Sequence, residues 1–84
     1  MSPEEQRARG INAKRLIEDP MFAEAFANVE KSILNGFRAD NLLDADLTRL
    51  WISLKMLAKV KAQLEAAISS GLVAEFQLKE KKSL

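Results

Sequence analysis

The sequence has no cysteine, no histidine and no tyrosine among its 84 residues. Without cysteine and histidine the chain lacks disulfides, thiolate nucleophiles and the commonest zinc ligands. General acid or base catalysis would fall to Asp, Glu or Lys, which have cap, ion-pair or solvent roles in the pattern described below. No glycine-rich loop is present to hold a phosphate group. The sequence therefore predicts a protein that is not an enzyme, with no catalytic residue, no metal site and no cofactor.

Long apolar runs and an excess of one charge are also missing. No stretch approaches the ~18 apolar residues that span a bilayer, and the acidic start Met-Ser-Pro-Glu-Glu is unlike a basic signal peptide. Thirteen basic residues against twelve acidic ones leave a formal charge of +1, without the basic excess of a typical nucleic-acid binder. We expect an unprocessed cytoplasmic protein that does not enter a membrane.

The chain is short for a protein that has to bury its own core. A single domain of 84 residues gains only about 3–5 kcal/mol of net stability unless a metal, a disulfide or a partner subunit assists. Since the composition offers no disulfide and no zinc ligands, the remaining source of stability is a second protein chain. We therefore expect a homo-oligomer, a component of a larger protein assembly, or both.

Helix boundaries are clearly marked in the first half of the chain. Ser2 and Glu5 have the spacing of a capping box with Pro3 in the first turn, which predicts a helix that begins near Pro3. This helix should end before Pro20, whose ring disfavours helical geometry at Asp19. The same Asp19 can cap a second helix, which we expect to run to about residue 34. Asn35-Gly36 should stop it, because both residues tolerate a positive φ.

A third helix carries the most informative pattern in the sequence, an apolar ladder whose steps of three and four residues keep one face towards another helix. We place its start at Asp44 and its end at Ser69 or Ser70, with Gly71 as the stop. That gives ~25 residues and a rod of ~37 Å. The ladder consists of Leu47, Leu50, Leu54, Leu57, Leu64 and Ile68.

The same helix has a second apolar stripe, formed by Ile52, Met56, Val60 and Ala67. A helix that is apolar on two sides is buried on two sides, and two short helices can cover only one of them. The second stripe is therefore a candidate interface. Lys61 stands where the next rung of the ladder belongs. It either sets the register of an oligomeric seam or extends its charged end into solvent.

The residues after Gly71 fit two structures. Alternation from Leu72 to Lys79 partly resembles a strand, whereas a helix groups Leu72, Val73 and Phe76 and pairs Glu75 with Lys79. In either form we expect a partner-contacting arm, residues 72–84, attached to a helical domain of residues 1–71. Its last six residues should form a solvated, charged tail. The apolar residues of the arm are Leu72, Val73, Phe76 and Leu78.

Three other features have a functional and a simpler interpretation. A lone Trp51 beside a leucine ladder is typical of a core, although Trp is also common as an interface anchor. Asp40, Asp44 and Asp46 lack the spacing of a calcium loop and fit helix caps. The lysines of the third helix and the tail could contact phosphates, but a solvated surface explains them equally well.

The order of these patterns resembles a known group of proteins. The run RGINAKRLIEDPMF at residues 9–22 is followed by an Asp-capped long helix around Leu50-Trp51, with Leu54 and Leu57, and then by Gly71. This layout, which covers most of the chain, is similar to small helical proteins encoded in tailed-phage and prophage structural gene clusters. The resemblance implies a multi-copy accessory of virion assembly or of the particle itself, present in the host cytoplasm or the virion, with no catalytic residues to carry over.

Together these patterns predict an all-α protein in which two short helices pack on one long helix. The leading function is a structural or assembly interaction module. The alternative is a small nucleic-acid-associated or regulatory protein that acts in packaging or host takeover. The candidate partner interface consists of Ile52, Met56, Val60, Lys61, Leu72, Val73, Phe76 and Leu78.

Overall fold

The computed structural model describes residues 1–82, which form three helices and contain no strand. Helix α1 spans Pro3–Glu18, α2 spans Pro20–Gly36 and α3 spans Asp44–Lys82. The two shorter helices pack on the long one, so the predicted all-α architecture is confirmed.

Side-chain caps set the junctions at the start of α1 and between α1 and α2. The Ser2 hydroxyl accepts from the amide of Glu5 and donates to the Glu5 carboxylate, both at 3.2 Å. At the next junction Asp19 Oδ1 accepts from the amides of Met21 and Phe22 at 2.8 and 3.1 Å. Both predicted caps are confirmed. Each works within three residues of its own position, which is why the sequence reveals it.

The end of α2 differs from the prediction. The helix continues through Gly36, no glycine has a positive φ, and the left-handed conformation belongs to Asn41, at φ 59°. Gly36 lies against the Leu50 side chain, and a Cβ there would come within 2.6 Å of Leu50 Cδ2, the end of a side chain that can change rotamer.

The start of α3 at Asp44 is confirmed, and its first turn shows what the acidic residues do. Asp46 Oδ2 accepts from the backbone amide of Leu43 at 3.1 Å. Asp44 and Asp46 also place negative charge in the first turn of α3, where the helix dipole favours it. Asp40 lies in the preceding turn. Two of the three acids thus have the helix-terminal roles expected of them.

The predicted end of α3 is wrong. The helix passes through Gly71 without a break and continues to Lys82, so residues 72–82 are helical and the division at residue 71 falls inside one element. The Glu75–Lys79 pair of the helical interpretation is present, with Lys79 Nζ 3.8 Å from Glu75 Oε1. Ser83 and Leu84, the last residues of the predicted tail, lie outside the described residues.

The helices form a hairpin. One arm is the continuous helix α3, and the other consists of α1 and α2, which are separated by Asp19. Pro3 lies beside Leu78, Gly10 lies against Gly71, and Ile17 borders the same cleft as Leu64. Because residue numbers rise along α1 as they fall along α3, the two helices are antiparallel. Helix α2 continues in the same direction, so that Gly36 reaches Leu50. The result is an elongated molecule of 66 × 25 × 14 Å, about one helix thick.

Small residues allow α1 and α3 to pack very closely. A Cβ built on Gly10 would lie 2.8 Å from the Gly71 Cα and 2.9 Å from the Ala67 carbonyl oxygen. Ala13 and Ala74 flank this contact, and Ala74 is completely buried. Within the described part of the chain the only buried residues are Gly10, Ala13, Gly71 and Ala74.

Replacing Gly71 with Ala should destabilise the protein. A glycine-to-alanine change inside a helix ordinarily stabilises it by about 1 kcal/mol. Here the new methyl would meet the Gly10 backbone at 2.8 Å, and separating the helices should cost about 1–3 kcal/mol. Urea denaturation followed by circular dichroism gives the sign. Ser70→Ala, at the exposed neighbouring position, is the control and should be neutral or slightly stabilising. A Gly71→Ala protein more stable than the wild type would contradict the close packing.

Candidate interaction surface

Fifteen large apolar side chains are exposed among the described residues. Among residues 1–82 no three His, Cys, Asp or Glu residues are grouped so as to hold a metal ion. The buried residues of the same range include none with a polar or charged side chain. Nor is any described helix apolar over a length that would cross a bilayer.

The half of the hairpin built by α2 and the start of α3 has no closed core. The ladder leucines Leu50, Leu54 and Leu57 are only half-buried, and Leu47 is exposed. On α2, Phe22 and Phe26 pack side by side with ring centroids 6.0 Å apart, and they too are half-buried. Since these side chains are large, α2 packs less closely on α3 than α1 does. Leu50 of the ladder lies against Gly36 of α2, but α2 alone does not bury the ladder.

Three of the four residues of the second stripe are not covered by any helix of the chain, whereas Ala67 lies against Gly10 of α1. Ile52, Met56 and Val60 are between 49% and 55% exposed. At 100° per residue the stripe is centred about 120° around the helix from the ladder, so α2 cannot reach both faces. These three candidate interface residues therefore form a continuous exposed row, spaced by one turn each.

Trp51 lies on the opposite flank of the helix from this stripe and is 54% exposed. Its ring lies under Lys55, whose Nζ is 5.2 Å from the ring centroid. The interpretation of Trp51 as a core residue is therefore wrong for the single chain. The physical reason is the shortage of helices: α2 covers one face of α3 and leaves both flanks open.

The segment after Gly71 serves two purposes. Ala74 is buried against α1 and Leu78 is half-buried, so the expectation that the segment lies outside the subunit core is wrong. On its other side Leu72, Val73 and Phe76 are 59–63% exposed. These three remain candidate interface residues, ~24–30 Å along α3 from Met56.

Lys61 is exposed at the mouth of an open cleft between α2 and α3. The cleft is also lined by Phe22, Phe26, Glu30 and Leu64. The exposed side chain fits the solvent interpretation, and its place beside the ladder fits the register interpretation. Both interpretations of Lys61 therefore stay open.

The overall dimensions show how little of the chain is covered. The accessible surface is 6768 Å², roughly 1,800 Å² more than a compact monomer of this length exposes. The radius of gyration is 18.2 Å, against about 12 Å for a compact domain of this length. The hairpin is therefore elongated and leaves many of its large apolar side chains exposed to solvent.

Sequence reasoning missed the packing role of Gly10, Gly71 and Ala74, which hold α1 to α3 together with Ala13. Their signal was present, because Gly10 and Ala13 are three residues apart and Ala67, Gly71 and Ala74 are spaced by four and three. Small residues at this spacing mark a face on which two helix backbones can approach closely. The exposed Met21 and Leu43 were also not among the candidates.

Comparisons with protein-family models, with curated proteins and with solved structures gave no match.

Removing residues 72–84 should unfold α1 as well as shorten α3. The deletion takes away Ala74 and Leu78, which cover the N-terminal half of α1. A 16-residue helix of this composition is only marginally stable without such packing. Far-ultraviolet circular dichroism should therefore show a loss of helix roughly two and a half times that of the deleted helical residues. Deletion of residues 80–84 alone is the control. It should reduce the helical signal only by the contribution of the deleted residues. A loss limited to the deleted residues would show that α1 does not depend on this segment.

Proposed function

We propose that this protein is a non-enzymatic structural or assembly module that works by packing its apolar surface against other protein chains. The observation that carries the proposal is the inverted pattern of burial. Among the described residues fifteen large apolar side chains are exposed, whereas the buried residues are glycines and alanines. Monomeric proteins rarely leave apolar surface of this extent in water, and such surfaces mark sites of association.

The resemblance to small helical proteins of tailed-phage structural gene clusters supports a particular setting. The protein would be made in several copies in the host cytoplasm and would act in virion assembly or remain in the particle. A rigid helical hairpin with no catalytic machinery suits such a role, because an assembly component needs only a defined shape and defined contacts. The long α3, 39 residues in one helix, provides the rigid element.

Association with nucleic acid is the competing proposal, and electrostatics separates the two. Burial of apolar area is little affected by moderate salt, whereas phosphate contacts weaken steeply as salt rises. The exposed Lys55 lies over the Trp51 ring, a position that does not require a phosphate. The geometry therefore favours protein association.

Sedimentation of the purified protein at micromolar concentration tests this proposal. We expect a dimer or larger species whose mass is the same at low and at moderate salt. The reason is that a lone hairpin would have to keep about half of each large apolar side chain in water.

Two results would count against it. A monodisperse monomer that unfolds cooperatively at high temperature would show that the exposed surface needs no partner. Binding to a nucleic acid that weakens steeply with salt would favour the alternative. A parallel run in the presence of nuclease controls for copurified nucleic acid.

A further inference from the structure

We propose that the exposed side of α3 around Lys55 and Lys59 is a docking surface for an acidic amphipathic helix of a different protein. Ile52, Met56 and Val60 supply the apolar part of this surface, and the two lysines supply its charge. The inference rests on the proposed function, and it names the chemistry of the partner.

Two parallel ridges of side chains form this surface. Side chains four residues apart line up along a helix, and a partner helix packs one of its own rows into the groove between two such ridges. Every member of both ridges is exposed. The apolar ridge consists of Ile52, Met56 and Val60, and the charged ridge beside it consists of Trp51, Lys55 and Lys59. A helix seated in the groove therefore contacts apolar side chains on one flank and ammonium groups on the other.

The charge of this surface is not neutralised by the chain itself. Between Asp46 and Glu65 the sequence contains four basic residues and no acidic one. Among the described residues neither Lys55 nor Lys59 forms an ion pair. The two lysines are one helical turn apart, ~6 Å along the axis. Two carboxylates one turn apart on a partner helix match this spacing.

Other occupants match the surface less well. A second copy packed through the same apolar ridge offers no carboxylate to the lysines, because residues 47–64 contain none, and like charges at close range oppose association. Nucleic acid pairs with lysines through its phosphates but leaves the apolar ridge in water. A helix that lies in a membrane surface needs a broad apolar face, whereas this ridge is one residue wide and borders the lysines directly. An acidic amphipathic helix covers both ridges.

The single tryptophan of the chain makes docking measurable. Trp51 is 54% exposed at the end of the charged ridge, so a helix that excludes water there shifts its fluorescence emission to shorter wavelengths. The probe is a synthetic helical peptide without tryptophan, in which glutamates four residues apart flank a row of leucines. The control peptide has glutamine at each glutamate position. We expect the glutamate peptide to bind at least tenfold more tightly than the glutamine peptide.

Charge reversal tests the role of the two lysines. Lys55→Glu combined with Lys59→Glu should weaken binding of the glutamate peptide at least tenfold and should create binding to a third peptide that has lysine at the glutamate positions. Arg7→Glu combined with Lys81→Glu is the matched control, because it changes the net charge equally at two exposed positions near the other end of the hairpin. This control should bind the glutamate peptide as the wild type does. Circular dichroism checks that both variants keep their helix content.

The outcomes separate this inference from the function on which it rests. An oligomer that binds the glutamate peptide no more tightly than the glutamine peptide overturns the acidic partner and leaves the association proposal standing. Dissociation of that oligomer by the reversal of Lys55 and Lys59 identifies a self-contact instead and also overturns the inference. A monomer that binds the glutamate peptide with the expected preference supports the inference, although the sedimentation prediction then fails.

Two further probes test the other anionic partners. Vesicles that contain phosphatidylserine and a DNA duplex are each titrated into the wild type and the variant with both lysines reversed. Lysine-dependent binding to either probe, without binding to the glutamate peptide, overturns the inference. We expect the glutamate peptide to bind more tightly than both.

Discussion

The contact between the backbones of α1 and α3 at Gly10 and Gly71 is the constraint on which the rest of the structure depends. Neither position has room for a side chain, because a Cβ on one glycine would approach the Cα of the other within 2.8 Å. Ala13 and Ala74 extend the contact without widening it. This seam sets the separation and the direction of the two helices. Because α2 starts one residue after α1 ends, the contact also sets the position along α3 at which α2 begins.

The same seam explains why the hairpin has two unlike halves. Where glycine and alanine meet, two helices can exclude water between them without further help. Where Phe22 and Phe26 face leucines, large side chains separate the axes and stay half-buried. A single pair of helices with large side chains has too few neighbours to form a core, so burial there requires more helices. The half formed by α2 and the start of α3 has the weakest internal packing. It is thus the half in which association with further helices would bury the most additional apolar area.

The parts of the fold that could be predicted are those governed by short-range chemistry. Ser2, Asp19 and Asp44 mark helix starts because capping and first-turn charge act within a few residues. Gly71 was misinterpreted as a stop for the opposite reason, since its smallness serves a contact with Gly10, far away in sequence. The exposed stripe of α3 was visible as periodicity. Periodicity in one chain shows only that a face is apolar and does not identify a partner.

The joint between α1 and α2 is a single residue, and this links the rotation of the two helices. Asp19 donates its amide to the Leu16 carbonyl at 3.2 Å while its carboxylate caps the next helix, so no slack remains between them. Since an α-helix turns ~100° per residue, one residue inserted here would swing the aromatic face of α2 more than a quarter turn away from α3. Asp19 therefore fixes the rotation of α2 about its own axis relative to α1. Because the contact between Gly10 and Gly71 sets the rotation of α1, it also sets the direction in which Phe22 and Phe26 point.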